Sequence, residues 1–139
     1  MTAKPELKLE DFPARTYDKI RRGEAVENHV NNILYPSFYD TGRTEITHDP
    51  ALVELMSGNV WFVAHFAIDY HAEMQWPGTV EIGTGIRAIG RSSVTFYQAL
   101  FQDGICAATS ECVMVQVDPN TRRPAAFTDA AKEWLGKFM

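Results

Sequence analysis

The chain has 139 residues, of which 45% are hydrophobic and 22% charged, and a formal net charge of -5. That length suits one domain, expected over residues 1–139, and the apolar content excludes extensive disorder. The acidic excess argues against nucleic acid as a partner, and no run approaches the ~18 consecutive apolar residues that a membrane crossing needs.

The first eleven residues, "MTAKPELKLED", are polar and read as a frayed lead-in before Pro13. They hold no apolar core flanked by positive charge, so no secretory leader is expected and a cytoplasmic setting is the default. "ARTYDKI", Ala14 to Ile20, alternates as a first strand, and "RRGEAVEN", Arg21 to Asn28, suits an exposed loop. Asn28 is placed to cap a long helix whose apolar face would carry Val30, Ile33, Leu34, Phe38 and Ile46. Pro36 belongs to the first turns of that helix or kinks it. "DPALVELMSG" adds a short helix, with Asp49 as cap, Pro50 in the first turn and Gly58 at the end.

From Asn59 the apolar period changes to two. Strand-like runs cover Asn59–Trp76, Thr79–Gly90, Arg91–Asp103 and Gly104–Asp118, divided by "PG", "IGR" and "DG" turn signals. Links this short make successive strands antiparallel, because a parallel crossover needs a dozen or more residues. Cys106 and Cys112 share one of these strands and would stand about 20 Å apart at ~3.3 Å per residue. Bridged Cα atoms lie within about 7 Å, so both thiols are expected to be free, as in a reducing compartment. "FTDAAKEWLGKF" closes the chain as a short helix.

One apolar helix against one broad antiparallel sheet is an α+β arrangement in which the sheet wraps the helix. Such a sheet leaves an edge and a face bare, with aromatic residues at alternating strand positions. A homodimer or homotetramer is therefore expected, built by joining sheets edge to edge.

The segment "ENHVNNILYPSFYDTGR" resembles the "GHVNNxxYxxxFxxAR" motif of the hot-dog-fold acyl-CoA thioesterases, in particular the 4-hydroxybenzoyl-CoA thioesterase-like branch. His29, Val30, Asn31, Asn32, Tyr35 and Arg43 keep the spacing, with Asn28 for the glycine and Gly42 for the alanine. "AIDYHAEM" is similar to the family's "IDYLRPA" strand, and "AIGRSSVTFYQALFQDGICAAT" to its "RLGRSSVTFEYEIYRDG" hairpin. The likeness runs from Ala14 to Pro124 and implies a hot-dog fold, hydrolysis of an acyl thioester, no bound cofactor and no metal.

The resemblance also assigns roles. The Asn32 amide would polarise the thioester carbonyl at a helix start, where backbone donors are free, while the Asn31 or Asn32 side chain fixes the loop or orients water. Tyr35, Asp69 and Tyr70 would line or buttress the acyl slot. Ser92 and Ser93 would meet the pantetheine and nucleotide parts of CoA, with Arg91, Arg122 and Arg123 near its phosphates. Asparagines in this setting also serve simply as caps.

One departure bears on mechanism. The family's aspartate, four residues before the histidine, is replaced by Ala25, and aligning Asp18 with the first aspartate puts Ile20 where the second should be. Glu24 is then the first choice for the missing carboxylate and Glu27 the second, with His29 as a further base. A non-catalytic acyl-thioester binding module is the alternative, and an enoyl thioester hydratase a more distant one. His65, Asp69 and His71 share a strand face but match no metal-ligand spacing.

Overall fold

The computed structural model describes residues 6–139. Five antiparallel strands form one sheet in the order β1-β5-β6-β7-β4: β1 Ala14–Lys19, β4 Val60–Tyr70, β5 Thr79–Ile89, β6 Ser93–Gln102 and β7 Ile105–Val117. The β6–β7 turn follows its sequence signal. Gln102 pairs with Ile105, so Asp103 and Gly104 form a two-residue loop, and both take positive φ (52° and 77°) as that tight turn requires. Helix α1, Tyr35–Thr47, lies on the inner face of the sheet, and α2 (Pro50–Leu55) and α3 (Asp129–Leu135) cover one end of it. Asp49 caps α2 as expected, its carboxylate accepting the Ala51 N–H at 2.9 Å.

The long helix starts later than the sequence suggests. Asn28 does not cap it; residues 25–30 instead form a small hairpin, β2 (Ala25–Val26) and β3 (His29–Val30), with Val26 opposite His29. Glu27 sits in its two-residue turn at φ 60°. The hairpin exists because β3 finds backbone partners beyond β4: the Val30 N–H donates to the Met74 carbonyl, and the Trp76 N–H to that of Asn28. Asn31 then caps a 3-10 turn over Asn32–Leu34, and α1 begins at Tyr35 with Pro36 in its first turn. Ile33, assigned to the buried helix face, is 73% exposed on that turn. β4 also ends early, at Tyr70, where the His71 and Ala72 N–H groups both turn to the Ala107 carbonyl.

Residues 1–5 of the lead-in lie outside the described residues. From residue 6 onward it is docked rather than frayed: Leu9–Asp11 makes a 3-10 turn, and Phe12 is buried on the outer face of the sheet against Tyr97 and Phe101.

Two apolar clusters lie under the helices. One joins Tyr35, Phe38 and Tyr39 to Ile82, Leu100 and Ala108; the other joins Ile46 and Leu52 to Ile86, Phe96 and Cys112. Between them runs a buried polar row in which Thr84, Gln98 and Ser110 stand opposite one another. Gln98 Nε2 donates to the Tyr39 carbonyl and to Thr84 Oγ1, and Arg43 Nη1 donates to Gln98 Oε1. The Arg43 guanidinium lies 4.9 Å from the centre of the Phe66 ring. Gly42 allows this close approach, since a Cβ there would stand 2.6 Å from Thr84 Oγ1.

β4 is an edge strand with exposed Val60, Phe62 and Val63. Cys106 and Cys112 are buried and unbridged. Among the described residues no helix is long and apolar enough to cross a membrane.

Candidate active site

The β2–β3 hairpin, the start of α1 and the segment after β4 enclose a cavity of about 360 Å³. His29, Asn31, Asn32, Tyr35, Tyr70 and Glu73 line it. The first five belong to the residues singled out by sequence; Glu73 does not.

The two tyrosines form one wall, their rings 5.0 Å apart and inclined by 54°. Tyr35 Oη accepts the Met74 N–H at 3.3 Å, and Tyr70 Oη donates to the Asn32 carbonyl at 3.0 Å. Burial raises both phenol pKa values above 10.0, for Tyr35 against the opposing pull of the Met74 N–H. Both rings therefore carry neutral hydroxyls at neutral pH.

The asparagines divide their tasks. Asn31 Oδ1 accepts the Ile33 N–H at 3.2 Å, its own N–H donates to the Glu24 carbonyl, and its carbonyl accepts the Leu34 N–H. That leaves the Asn32 N–H, first in the turn, without an acceptor among the described residues. Tyr70 holds the same peptide segment through the Asn32 carbonyl.

His29 Nδ1 stands 2.9 Å from Glu73 Oε2. Both side chains remain in contact with solvent, at 47% and 62% exposure. Their backbones are fixed by the ladder that joins β3 to residues 74–76, with His29 bridged to Gln75.

Other sequence-selected residues lie elsewhere. The Glu24 carboxylate accepts the Arg21 N–H at 2.6 Å within its own 3-10 turn, and neither Glu24 nor Glu27 lines the cavity. Asp69 does not join Tyr70 in the site, because adjacent strand residues point to opposite faces; it borders an outer-face pocket with Arg87 and Glu111. His65 is exposed, and His71, beyond the strand end, is buried with Nε2 2.8 Å from Thr109 Oγ1. Among the described residues no group of three or more His, Cys, Asp or Glu could hold a metal ion.

Arg91, Ser92 and Ser93 lie at the other end of the same sheet. Ser93 pairs with Val115 and Tyr70 with Ala108, a separation of about 23 Å along β7 at ~3.3 Å per residue. The Arg91 carbonyl accepts the Phe127 N–H and that of Ser92 the Gln116 N–H, so this turn is tied to the C-terminal segment and to the end of β7. Arg122 and Arg123 flank the same end; Arg122 borders an apolar cavity of about 600 Å³ with Trp61, Phe62 and Val117. Glu73 falls inside the run Asn59–Trp76 that alternation assigns to a strand, whereas the strand itself ends at Tyr70. A carboxylate among apolar residues in "AEMQW" was its only signal.

Among curated proteins none matches the chain significantly. Solved structures do. A thioesterase from Thermus thermophilus, complexed with coenzyme A and Zn, is 26% identical, with 91% of this chain and 93% of that one covered and a TM-score of 0.78. A predicted thioesterase from Bacillus stearothermophilus is 27% identical, with 91% and 96% covered and a TM-score of 0.82. A DHNA-CoA thioesterase from Staphylococcus aureus, at 16% identity, 90% and 87% coverage and a TM-score of 0.77, shares the fold. The family model described as the thioesterase-like superfamily matches residues 23–135, from the turn before the β2–β3 hairpin to the end of α3. The helix wrapped by a five-stranded antiparallel sheet is thus the hot-dog fold, and the chain belongs to the thioesterase-like superfamily.

Proposed function

We propose that the protein hydrolyses an acyl-CoA thioester in the His29–Tyr70 cavity, as a member of the 4-hydroxybenzoyl-CoA thioesterase-like branch that its "HVNN" segment resembles. The observation that carries this is the Asn32 N–H, left without an acceptor among the described residues at the start of a turn and beside an aromatic wall. A thioester carbonyl placed there would accept this hydrogen bond, which strengthens as charge develops on the oxygen. Tyr35 and Tyr70 would support the acyl group, and Asn31 would hold the turn that presents the donor.

The same reading includes a dimer formed through β4. Eleven residues of edge strand with exposed Val60, Phe62 and Val63 make a surface suited to sheet continuation. In a twofold antiparallel pairing centred near His65, the start of the partner's β4 would lie beside the Tyr70 end. Arg91, Ser92 and Ser93 would then meet CoA bound in the partner's cavity. The unbridged cysteines support a reducing, cytoplasmic setting.

The test is to incubate the purified protein with short, medium, long and aromatic acyl-CoAs and to measure thiol release. Turnover with at least one is expected. Tight binding of these esters without thiol release would instead make the protein a binding module, and loss of enoyl absorbance on an unsaturated ester would make it a hydratase.

A further inference from the structure

We infer that Glu73 replaces the carboxylate lost at Ala25 by acting through His29: His29 is the general base and Glu73 its positioning residue. This inference rests on the thioesterase reading above. The contact between His29 Nδ1 and Glu73 Oε2 measures 2.9 Å, and both side chains line the cavity that holds Asn32. A neutral imidazole that donates its Nδ1–H to the carboxylate presents Nε2 as a lone pair, the form a base requires. Nε2 has no partner among the described residues.

The alternatives are less well placed. Ala25 cannot take a proton, the Glu24 carboxylate is held by the Arg21 N–H, and Glu27 stands in the hairpin turn away from the cavity lining. The pair is not a chance meeting of long surface side chains. Val30 N–H to the Met74 carbonyl at 2.9 Å and Trp76 N–H to the Asn28 carbonyl at 3.0 Å fix the two segments in register, with the His29–Gln75 bridge between. A side-chain contact this exposed adds little to stability, so its removal isolates any chemical role.

In the reaction His29 Nε2 takes a proton from water as the water oxygen bonds to the thioester carbon. The carbonyl π electrons move to the oxygen, which accepts the Asn32 N–H. Collapse restores the C=O and breaks the C–S bond, and the departing thiolate takes the proton from Nε2. The products are the carboxylic acid, which ionises in water, and free CoA thiol. Glu73 stays ionised throughout, fixing the tautomer and offsetting the transient imidazolium charge.

The experiment uses the full chain and the best acyl-CoA of the panel. His29→Gln should lower kcat about a hundredfold or more, and Glu73→Gln by about tenfold to a hundredfold with KM within about twofold. Glu73→Asp should recover part of that loss, and free imidazole should restore turnover to His29→Gly. Unchanged melting temperatures would confirm that the variants fold. Wild-type kcat in both Gln variants overturns the dyad and leaves the thioesterase reading intact; wild-type kcat in Glu73→Gln alone overturns the role of Glu73. No thiol release by the wild-type protein from any acyl-CoA overturns the thioesterase reading, and the dyad falls with it.

Discussion

Gly42→Ala sets a local preference against a tertiary contact. In an exposed helix interior the substitution would stabilise by about 1 kcal/mol through propensity alone. Here the new Cβ would lie 2.6 Å from Thr84 Oγ1 and 2.7 Å from both Gln98 Nε2 and Ile82 Cγ2. Those distances are roughly 1 Å inside ordinary contact, so α1 must lift or the polar row must break. Overpacking of this kind costs about 1–3 kcal/mol. Displacing Gln98 also endangers its bonds to the Tyr39 carbonyl and Thr84, each 2.9 Å, and a buried amide left unmatched costs a further ~1–3 kcal/mol. The losses exceed the gain, and a net destabilisation of about 1–5 kcal/mol is expected. At ~2.1 cal/mol/K of unfolding entropy per residue this lowers Tm by about 3–17 °C. Gly136→Ala is the control: its φ is -60° and nothing lies within 4 Å of its Cβ position, so it should be neutral or stabilising by up to ~1 kcal/mol. Urea unfolding at one fixed protein concentration measures both. A Gly42→Ala protein as stable as the parent would refute the close-approach argument.

Tyr70→Phe removes the hydroxyl that donates to the Asn32 carbonyl. Water can replace it at this partly exposed position, so stability should fall by less than ~1 kcal/mol, while a looser oxyanion donor should lower kcat up to about tenfold; unchanged kcat would separate that bond from catalysis. Burial raises the Cys106 and Cys112 thiols above 9.0 and the Tyr35, Tyr39 and Tyr70 phenols above 10.0. The folded state then holds protons that the unfolded chain releases, so their contribution is complete below about pH 9 and is lost as pH rises through the raised values. Urea midpoints should accordingly decline from pH 8 through pH 11, and a flat profile would contradict the burial effect. Finally, a dimer with sites shared across β4 predicts complementation: inactive His29→Gln mixed after refolding with an inactive Arg91→Ala/Ser93→Ala double variant should regain about a quarter of wild-type activity through heterodimers with one intact site. No recovery in heterodimers shown to form would refute the shared site.

The elements that could be read from the sequence are those whose local signals agree with their tertiary setting. The β6–β7 turn carries "DG", α2 carries Asp49 and Pro50, and the long strands keep period two. The β2–β3 hairpin could not be read, because its strands are two residues each and its turn puts a glutamate, not a glycine, at positive φ. Only the distant backbone of residues 74–76 makes that conformation worthwhile. The site divides in the same way. His29, Asn31, Asn32 and Tyr35 come together because they are neighbours in sequence, and Tyr70 joins them from the end of β4, six residues before the expected limit at Trp76. Asp69 is next to Tyr70 in sequence, but strand geometry sends adjacent residues to opposite faces. Glu73 depends on a register between residues 29 and 75 that no local pattern encodes.

In the proposed dimer, the separation within one chain would account for an apolar edge strand. The cavity lies where β4 ends and the Arg91–Ser93 turn lies at the other end of the sheet, about 23 Å away along the strands. A twofold axis through β4 would reverse the partner's sheet. It would place the partner's β6 start three strand spacings from the Tyr70 end, about 14 Å at ~4.8 Å per strand. A CoA molecule is long enough to span that gap with its thioester in the cavity. Exposed Phe62 and Val63 and the outer edge of β4, unpaired among the described residues, would then be buried by the same contact that completes the binding site, so sheet continuation would stabilise the fold and assemble the site in one step.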